Sequence, residues 1–187
     1  MIQLARVLRS VVVILEQRDI GYVVVGSTGA ATWGVPRATR DVDLVVVLGA
    51  GQLDVVLDDL QRANLYVPVD RAREAASTGG SFNVLDPEHG GKVDLFVNGP
   101  DDAFTASRLQ RRIRADVFDV PCWVASAEDI ILAKLRWRID SRSEVQWRDC
   151  VEIAATNDLD IAYLRDWAPK LGVAEDLEAL LTSTQSD

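Results

Sequence analysis

Short apolar segments rich in β-branched residues alternate with longer amphipathic segments in this chain of 187 residues. The segment Gln3–Arg18 carries leucine and valine at helical spacing, and Tyr22–Val25 follows it as a continuous apolar run. A short apolar run of this kind is typical of a strand that is buried on both faces of a sheet. The alternation therefore predicts an α/β (α+β) fold, in which helices flank a buried, mixed sheet.

Similar reasoning assigns the other elements of the first part of the chain. The predicted strands are Tyr22–Val25, Asp41–Leu48, Phe82–Leu85, Lys92–Val97 and Pro121–Val124. The predicted helices are Gln3–Arg18, Ala30–Trp33, Gln52–Arg62 and Asp102–Arg114. Because a short turn around residues 87–91 separates the third strand from the fourth, these two strands are predicted to form a hairpin.

The rest of the chain is predicted to be helical. Ser126 can cap a helix that continues to Arg138, with acidic residues in its first turn. Further helices are predicted over Glu144–Thr156, Ile161–Leu171 and Ala174–Leu181. We therefore expect two regions: a core over residues 1–124 and a helical region over residues 125–187 that packs on it.

Composition excludes several classes of function. The chain has 20 basic and 29 acidic residues, a net charge of -9 and a pI near 4.6, so no broad basic face for duplex DNA is expected. The apolar run Val11–Leu15 is far too short to span a bilayer, and no signal peptide opens the chain. Two cysteines and one histidine favour neither a disulfide framework nor a zinc centre. We expect a cytoplasmic protein without a membrane partner.

Two carboxylates stand at the start of an apolar strand. Asp41 and Asp43 are two residues apart, so both side chains project from one face of the strand, with Cα atoms about 6–7 Å apart. Their mutual repulsion and their burial both disfavour the charged forms, and a divalent cation such as Mg²⁺ removes both penalties. The alternative is a pair at a solvated strand edge, which needs no metal.

A third carboxylate, Asp94, lies in the apolar strand Lys92–Val97. An unpaired aspartate in such a strand is costly, so it requires a partner. If this strand lies beside Asp41–Leu48, the three carboxylates form one cluster able to hold two metal ions about 3.5–4 Å apart. The alternative is an ion pair between Asp94 and one of the 17 arginines.

Gly26 and Ser27 end the first predicted strand. A strand that breaks at Gly-Ser and turns into a helix offers backbone N–H groups and a hydroxyl, which together can cradle a phosphate. The alternative is an ordinary turn, for which the same dipeptide is common. The segment is not a Walker loop, because no Gly-Lys-Ser/Thr follows it.

The order of these features is an apolar strand with Gly-Ser, thirteen residues, Asp-x-Asp, and a later strand with one aspartate. This order resembles that of the DNA polymerase β-like nucleotidyltransferase superfamily. Gly26–Leu44 and Ser126–Arg138 are more narrowly similar to the minimal and AbiEii-type members of bacteria. Shorter likenesses lie at Gln146–Asp149 and Tyr163–Arg165, so the resemblance covers most of the chain.

The resemblance implies a metal-dependent transfer of a nucleoside monophosphate from an NTP, such as ATP, to a protein, tRNA or small-molecule acceptor. In such an enzyme Gly26 and Ser27 would hold the triphosphate. Asp41 and Asp43 would bind both Mg²⁺ (or Mn²⁺) ions. Asp94 would complete the metal that binds the acceptor oxygen. The resemblance also points to toxin–antitoxin modules, with a cognate toxin or antitoxin as partner.

Three cations are further nucleotide-binding candidates. Arg37 and Arg40 flank the carboxylates and could neutralise triphosphate charge, although surface arginines in a loop are an equal alternative. Lys134 falls where the helical tail of the family presents a lysine to the nucleotide; its alternative is a helix lysine that snorkels to solvent.

Other charged and aromatic residues are expected to be structural. Arg148 and Asp149 are predicted to form an ion pair between the helical region and the core. The arginines between Arg108 and Arg114 are predicted to form a solvated helix face, with RNA or an acidic protein as alternative partners. Four tryptophans are predicted to pack between the two regions rather than to stack on bases: Trp123, Trp137, Trp147 and Trp167.

Two classes of function compete with the enzyme. A nucleotidyltransferase fold can serve as a non-catalytic antitoxin or binding module, or as a sensor that binds a nucleotide without turnover. The presence of all three carboxylates and of Gly-Ser favours the enzyme.

Overall fold

The computed structural model describes residues 2–36 and 38–184. Its strands are β1 (Tyr22–Val25), β2 (Val42–Val47), β3 (Gly80–Leu85), β4 (Lys92–Asn98), β5 (Ile113–Val117) and β6 (Val120–Val124). Its helices are α1 (Ile2–Gln17), α2 (Gly26–Thr32), α3 (Ala50–Arg62), α4 (Val69–Thr78), α5 (Ala103–Arg111), α6 (Ala127–Ser141), α7 (Glu144–Thr156), α8 (Ile161–Lys170) and α9 (Ala174–Thr184).

Within these residues the strands form one six-stranded mixed sheet in the order β3-β4-β2-β1-β6-β5. Strand β1 is antiparallel to β2 and parallel to β6, and β2 is parallel to β4. As a result the carboxyl end of β1 lies beside the amino ends of β2 and β4 at one edge of the sheet. Val25 is paired with Asp43, and Asp43 with Asp94. The predicted mixed α/β fold is confirmed.

Alternate residues of the central strands point into two separate apolar clusters, one on each face of the sheet. Val24 and Leu44 belong to the cluster covered by α1, α3 and α4. Val23 and Val45 belong to the cluster covered by α2 and by helices α6–α9. Burial on both faces explains why these strands are continuous apolar runs rather than alternating ones.

Several predicted boundaries agree with the structure and others are wrong. Strand β1 and helix α7 have the predicted bounds, and β3 and β4 form the predicted antiparallel hairpin. Helix α2 begins at Gly26, four residues earlier than predicted. Helix α4 was not predicted, because its buried residues are alanines, which give only a weak hydrophobic pattern.

The predicted helix Asp102–Arg114 ends at Arg111. Beyond it, β5 pairs with β6 through a two-residue turn, Phe118-Asp119, in which both residues have positive φ. Turns of this kind normally carry Asn-Gly or Asp-Gly, so the sequence lacks the usual signal for the hairpin.

Helices α6–α9 follow the sheet and bury their apolar faces against it. This arrangement agrees with a helical region packed on a core, while the division at residue 124 stays a prediction. None of the helices in the described residues has the length and the apolar character needed to cross a membrane.

Candidate functional site

The three aspartates predicted to act together lie at one edge of the sheet. Asp43 and Asp94 are directly paired in register on the parallel strands β2 and β4, and Asp41 immediately precedes β2. Adjacent Leu44 and Leu95 are fully buried on the opposite face, so both aspartates share the other face of the sheet. The condition on which the sequence prediction depended, that the two strands are neighbours, is met.

A lysine that the sequence analysis missed joins this group. The Nζ atom of Lys92 lies 3.1 Å from Asp41 Oδ2 and 2.7 Å from Asp94 Oδ2. Lys92 is two residues before Asp94 on β4 and therefore projects from the same face of the strand. The spacing of two residues between Lys92 and Asp94 was the sequence signal that could have identified this lysine. The predicted alternative partner for Asp94 was an arginine, whereas the observed partner is this lysine.

Asp43 carries the least compensated charge of the cluster. Burial, and then the negative charges of Asp41 and Asp94, raise the pKa of Asp43 to about 6; Lys92 and Lys134 oppose this shift. A positive charge placed beside the Asp43 carboxylate would therefore stabilise its ionised form.

Gly26 allows the close approach between β1 and the carboxylate of Asp43. Its φ is +64°, and a Cβ at this position would lie 2.1 Å from Asp43 Oδ2. Any other residue would combine a strained backbone with a steric clash. Gly26 and Ser27 line the cleft beside Asp43, at the first turn of α2.

The loop that leads into β2 is held through its backbone. The Thr39 hydroxyl donates to the backbone carbonyl of Asp41 at 2.9 Å, and the Thr28 hydroxyl approaches the same oxygen at 3.4 Å. Arg40 is exposed and lines a separate hollow of about 430 Å³ with Tyr66 and Lys92, not the main cleft. Arg37, the other predicted arginine, lies outside the described residues.

The main cleft has a volume of about 520 Å³ and opens between the sheet and helices α5–α7. A volume of this size suits one ligand of nucleotide or drug size. Its floor is the face of β2 and β4 that carries Asp43, Val45, Phe96 and Asn98. Trp137 lines it as well and is 62% exposed, so the prediction that it packs between the two regions is wrong.

Lys134 lies in the wall of this cleft but is not a snorkelling side chain. It is 5% exposed, and its Nζ donates to Asp149 Oδ2 at 2.7 Å and to Gln146 Oε1 at 2.9 Å. The structure therefore pairs Asp149 with Lys134 of α6, and the predicted pairing with Arg148, which is exposed, is wrong. The packing of α6 against α7 brings Lys134 and Asp149 into contact, and the spacing of the two residues in the sequence does not predict this contact.

The predicted solvated face of arginines does not exist as one surface. Arg108 is buried and lines the cleft, and Arg111 pairs with Glu128 at 3.1 Å. Arg112 lies over the Trp123 ring, and Arg114 belongs to strand β5. The prediction was wrong because β5 begins at Ile113, inside the predicted helix, and because neighbouring elements cover Arg108 and pair with Arg111.

The donor set fits a divalent cation in its chemistry. In the described part of the chain, no three carboxylate, histidine or cysteine side chains converge closely enough to form a ready ligand set. The ammonium group of Lys92 contacts both Asp41 and Asp94, so two of the three carboxylates share a cationic partner. Carboxylate oxygens with excess negative charge are the hard ligands that Mg²⁺ takes in proteins.

Neither a family model nor a curated protein sequence matches the chain. Its fold does match solved structures. An antigenic nucleotidyltransferase-like protein from Paracoccidioides brasiliensis is 19% identical, with a TM-score of 0.55 over 92% of this chain and 91% of that one. The antibiotic-resistance factor ANT(2'')-Ia is 17% identical, with a TM-score of 0.52 over 97% and 91%.

The lincosamide antibiotic adenylyltransferase LnuA, in its lincomycin-bound form, is 14% identical, with a TM-score of 0.53 over 81% of this chain and 97% of that one. At these identities the similarity concerns the fold. The chain therefore has the fold of nucleotidyltransferase-like proteins.

Proposed function

We propose that this protein is a metal-dependent nucleotidyltransferase that moves a nucleoside monophosphate from an NTP, such as ATP, to an acceptor. The observation that carries the proposal is the grouping of Asp41, Asp43 and Asp94 at one sheet edge, where Asp43 lines a cleft of suitable size together with Gly26 and Ser27. Nucleotidyl transfer needs little beyond positioning and charge neutralisation, and this arrangement offers both.

The three aspartates are the proposed ligands of Mg²⁺ or Mn²⁺. When bound, the divalent cation supplies positive charge that offsets the charge of the triphosphate and of the attacking oxygen. Asp43 would bear most of that attraction, because its own charge is the least compensated. Lys92 would leave Asp41 and Asp94 and offer its ammonium group to the phosphates instead.

In the proposed reaction an acceptor hydroxyl oxygen forms a bond to the α-phosphorus. The bond between the α-phosphorus and the oxygen that bridges to the β-phosphate then breaks, and pyrophosphate is released. Asp94 is the proposed recipient of the hydroxyl proton. Gly26 and Ser27 would hold the triphosphate, and Arg37, Arg40 and Lys134 are the proposed side chains that offset its charge. Lys134 would act from the cleft wall while it remains paired with Asp149.

The dimensions of the cleft and the acidic net charge favour a small-molecule or protein hydroxyl over a large RNA as acceptor. The fold neighbour LnuA is described with lincomycin bound, which supports a small-molecule acceptor. The resemblance of Gly26–Leu44 to AbiEii-type proteins supports a role in a toxin–antitoxin module, in which a cognate toxin or antitoxin would be the protein partner.

One observation favours a second function, a nucleotide sensor or a binding module without turnover. The ammonium group of Lys92 pairs with two of the three carboxylates, Asp41 and Asp94. A protein that only binds nucleotide, or acts only by contact, could use this arrangement permanently.

The test is incubation of the protein with each α-³²P-labelled NTP and Mg²⁺, together with total tRNA, cell lysate or a panel of small hydroxylated molecules. We expect label on one acceptor, and loss of that label in the Asp41→Asn/Asp43→Asn variant. The matched control is Asp54→Asn/Asp58→Asn, which removes two exposed aspartates of α3 and should leave transfer intact.

The possible results separate the functions. Nucleotide binding without transfer to any acceptor would favour the sensor. If the protein neither binds a nucleotide nor transfers label, the result would favour the binding module that acts only by contact. Label transfer that survives in the Asp41→Asn/Asp43→Asn variant would refute the assigned site.

A further inference from the structure

The main cleft has a second end that the proposed chemistry does not use. Asp94, Phe96 and Asn98 alternate along β4 and so project from the same face of the sheet. Asn98 is four residues beyond Asp94, which places the two Cα atoms about 13 Å apart. We call the far end, formed by Asn98, Phe104, Thr105 and Arg108, the distal subsite.

Arg108 brings a buried positive charge to the distal subsite. The residue is 7% exposed, its Nη2 donates to Thr105 Oγ1 at 2.8 Å, and its guanidinium lies 4.5 Å from the centre of the Phe104 ring. Its Nε is buried without a hydrogen-bond partner among the described residues. Burial lowers the pKa of Arg108, as expected for a charge removed from water.

No carboxylate of the described residues lies within 4.0 Å of this guanidinium. Asp129 and Asp102 attract it from farther away. The oxygens of Asp129 are engaged by the Ser126 hydroxyl at 3.1 Å and the Tyr163 hydroxyl at 2.7 Å. A buried guanidinium without a direct anionic partner is costly, so its presence in a cleft wall points to an anion that comes from outside the chain.

The neighbours of Arg108 hold its position. Thr105 is fully buried, and its Oγ1 accepts from Asn98 Nδ2 at 2.6 Å as well as from Arg108. Both donor side chains are therefore fixed by one hydroxyl, which leaves the guanidinium little freedom to turn toward solvent. Phe96 and Phe104 add apolar surface to the same part of the cleft.

We propose that Arg108, with Asn98, binds an anionic group of the acceptor, a carboxylate or a phosphate, while Phe96 and Phe104 contact the apolar part of the same molecule. This inference rests on the proposed function, since it names the class of acceptor. The nucleotide is the other source of an anionic group. The acceptor is favoured because the triphosphate is assigned to Gly26, Ser27 and the carboxylates at the opposite end of the cleft.

The first experiment uses the full chain labelled with ¹⁵N, in EDTA, and benzoate as the probe. Benzamide, which has the same shape without the charge, is the control ligand. The Nε–Hε signal of Arg108 is identified by its absence in Arg108→Lys, and its shift is followed during titration. The signal of Arg111 is an internal control, because its Nε is also buried without a partner but its Nη atoms pair with Glu128 and Asp160.

We expect benzoate to shift the Arg108 signal and to leave that of Arg111 in place. Benzamide should bind at least about tenfold more weakly, as for the loss of one charge-assisted hydrogen bond. Equal binding of the two probes, or a shift of Arg111 alone, would overturn the anion site. Binding itself is measured on the wild-type chain, and Arg108→Lys serves only to assign the signal.

A second arm separates acceptor from nucleotide. With a non-hydrolysable ATP analogue and Mg²⁺ present, benzoate should still shift the Arg108 signal. If the analogue itself moves that signal and blocks benzoate, the anion belongs to the nucleotide and the acceptor assignment is wrong.

The third arm is label transfer by Arg108→Gln. The KM for carboxylated or phosphorylated acceptors should rise about tenfold, while affinity for the NTP is unchanged. Benzoate binding at Arg108 in a protein that transfers no label to any acceptor would instead refute the proposed function and, with it, the acceptor assignment.

Discussion

At the scale of single residues, Lys134 and Asp149 form a buried ion pair in the helical region. The side chains are 5% and 6% exposed, and the Nζ to Oδ2 distance is 2.7 Å. Replacement of one partner leaves the other charge buried without compensation, whereas replacement of both by apolar residues removes the desolvation penalty as well. The pair thus makes each residue depend on the other more than it stabilises the fold.

We expect Asp149→Asn to lower the free energy of unfolding by about 3 kcal/mol. The double variant Lys134→Met/Asp149→Leu should recover most of that loss, because no charge is then left unpaired. Urea unfolding followed by far-UV circular dichroism measures both quantities. The matched control is Asp166→Asn, which breaks an ion pair of 2.6 Å between side chains that are 54% and 63% exposed.

The control variant should unfold at nearly the same urea concentration as the wild type, because water screens the exposed pair. A loss in Asp149→Asn no larger than that in Asp166→Asn would contradict the argument from burial. The double variant also tests the nucleotide assignment of Lys134. Unchanged NTP affinity in a stable double variant would make Lys134 a structural residue only.

At the scale of elements, Gly29 determines how closely α2 packs against α6. A Cβ at this position would lie 2.8 Å from Ile130 Cδ1 and 3.2 Å from the carbonyl oxygen of Val24. We expect Gly29→Ala to destabilise the protein by about 1–3 kcal/mol, as overpacking does in other cores. Thermal unfolding by calorimetry is the measurement, and Ile130→Val, which removes Cδ1, should recover part of the loss.

The comparison variant is Gly51→Ala in α3, where a Cβ would meet no atom within 4 Å. Because alanine is the better helix former, the same substitution should there raise stability by up to about 1 kcal/mol. If both substitutions change the stability in the same direction, close packing at Gly29 does not determine the effect of Gly29→Ala.

Elements with a strong local pattern could be predicted from the sequence. Tyr22–Val25 is apolar throughout, and its bounds were correct; Asp41, Asp43 and Asp94 could be grouped once their strands were assumed to be neighbours. Strand β5 could not be predicted, because its pairing with β6 depends on a turn with unusual residues.

Contacts between distant elements could not be predicted either. The burial of Arg108 depends on the position of α5 over the cleft, and the partner of Asp149 lies on another helix. Local periodicity reports which face of a helix is apolar but not which charged side chain the neighbouring element will cover. The grouping of the carboxylates was therefore predictable from the sequence, as was the choice of Lys134 as a candidate, whereas the contacts of Lys92 and the burial of Arg108 were not.

At the scale of the whole molecule, the sheet is shared between two apolar clusters. Val23, Val25 and Val45 form the floor of the cluster that α6–α9 cover. Polar contacts cross the same boundary, since Trp33 Nε1 donates to the Ala125 carbonyl at 2.9 Å and Asn157 Nδ2 donates to the Trp33 carbonyl at 3.0 Å. When the helical region is absent, the core over residues 1–124 thus loses helices α6–α9 from one face of its sheet.

We therefore expect the full chain to unfold in one transition, with coincident urea curves from far-UV circular dichroism and tryptophan fluorescence. A fragment of residues 1–124 should show no cooperative transition, because one face of its sheet would be exposed to water. Co-expression with a fragment of residues 125–187 should restore the transition, since it returns the missing layer without a covalent link. A cooperative transition in the isolated fragment 1–124 would instead establish residue 124 as a true domain boundary, and the carboxylate cluster would then stand on a core that folds alone.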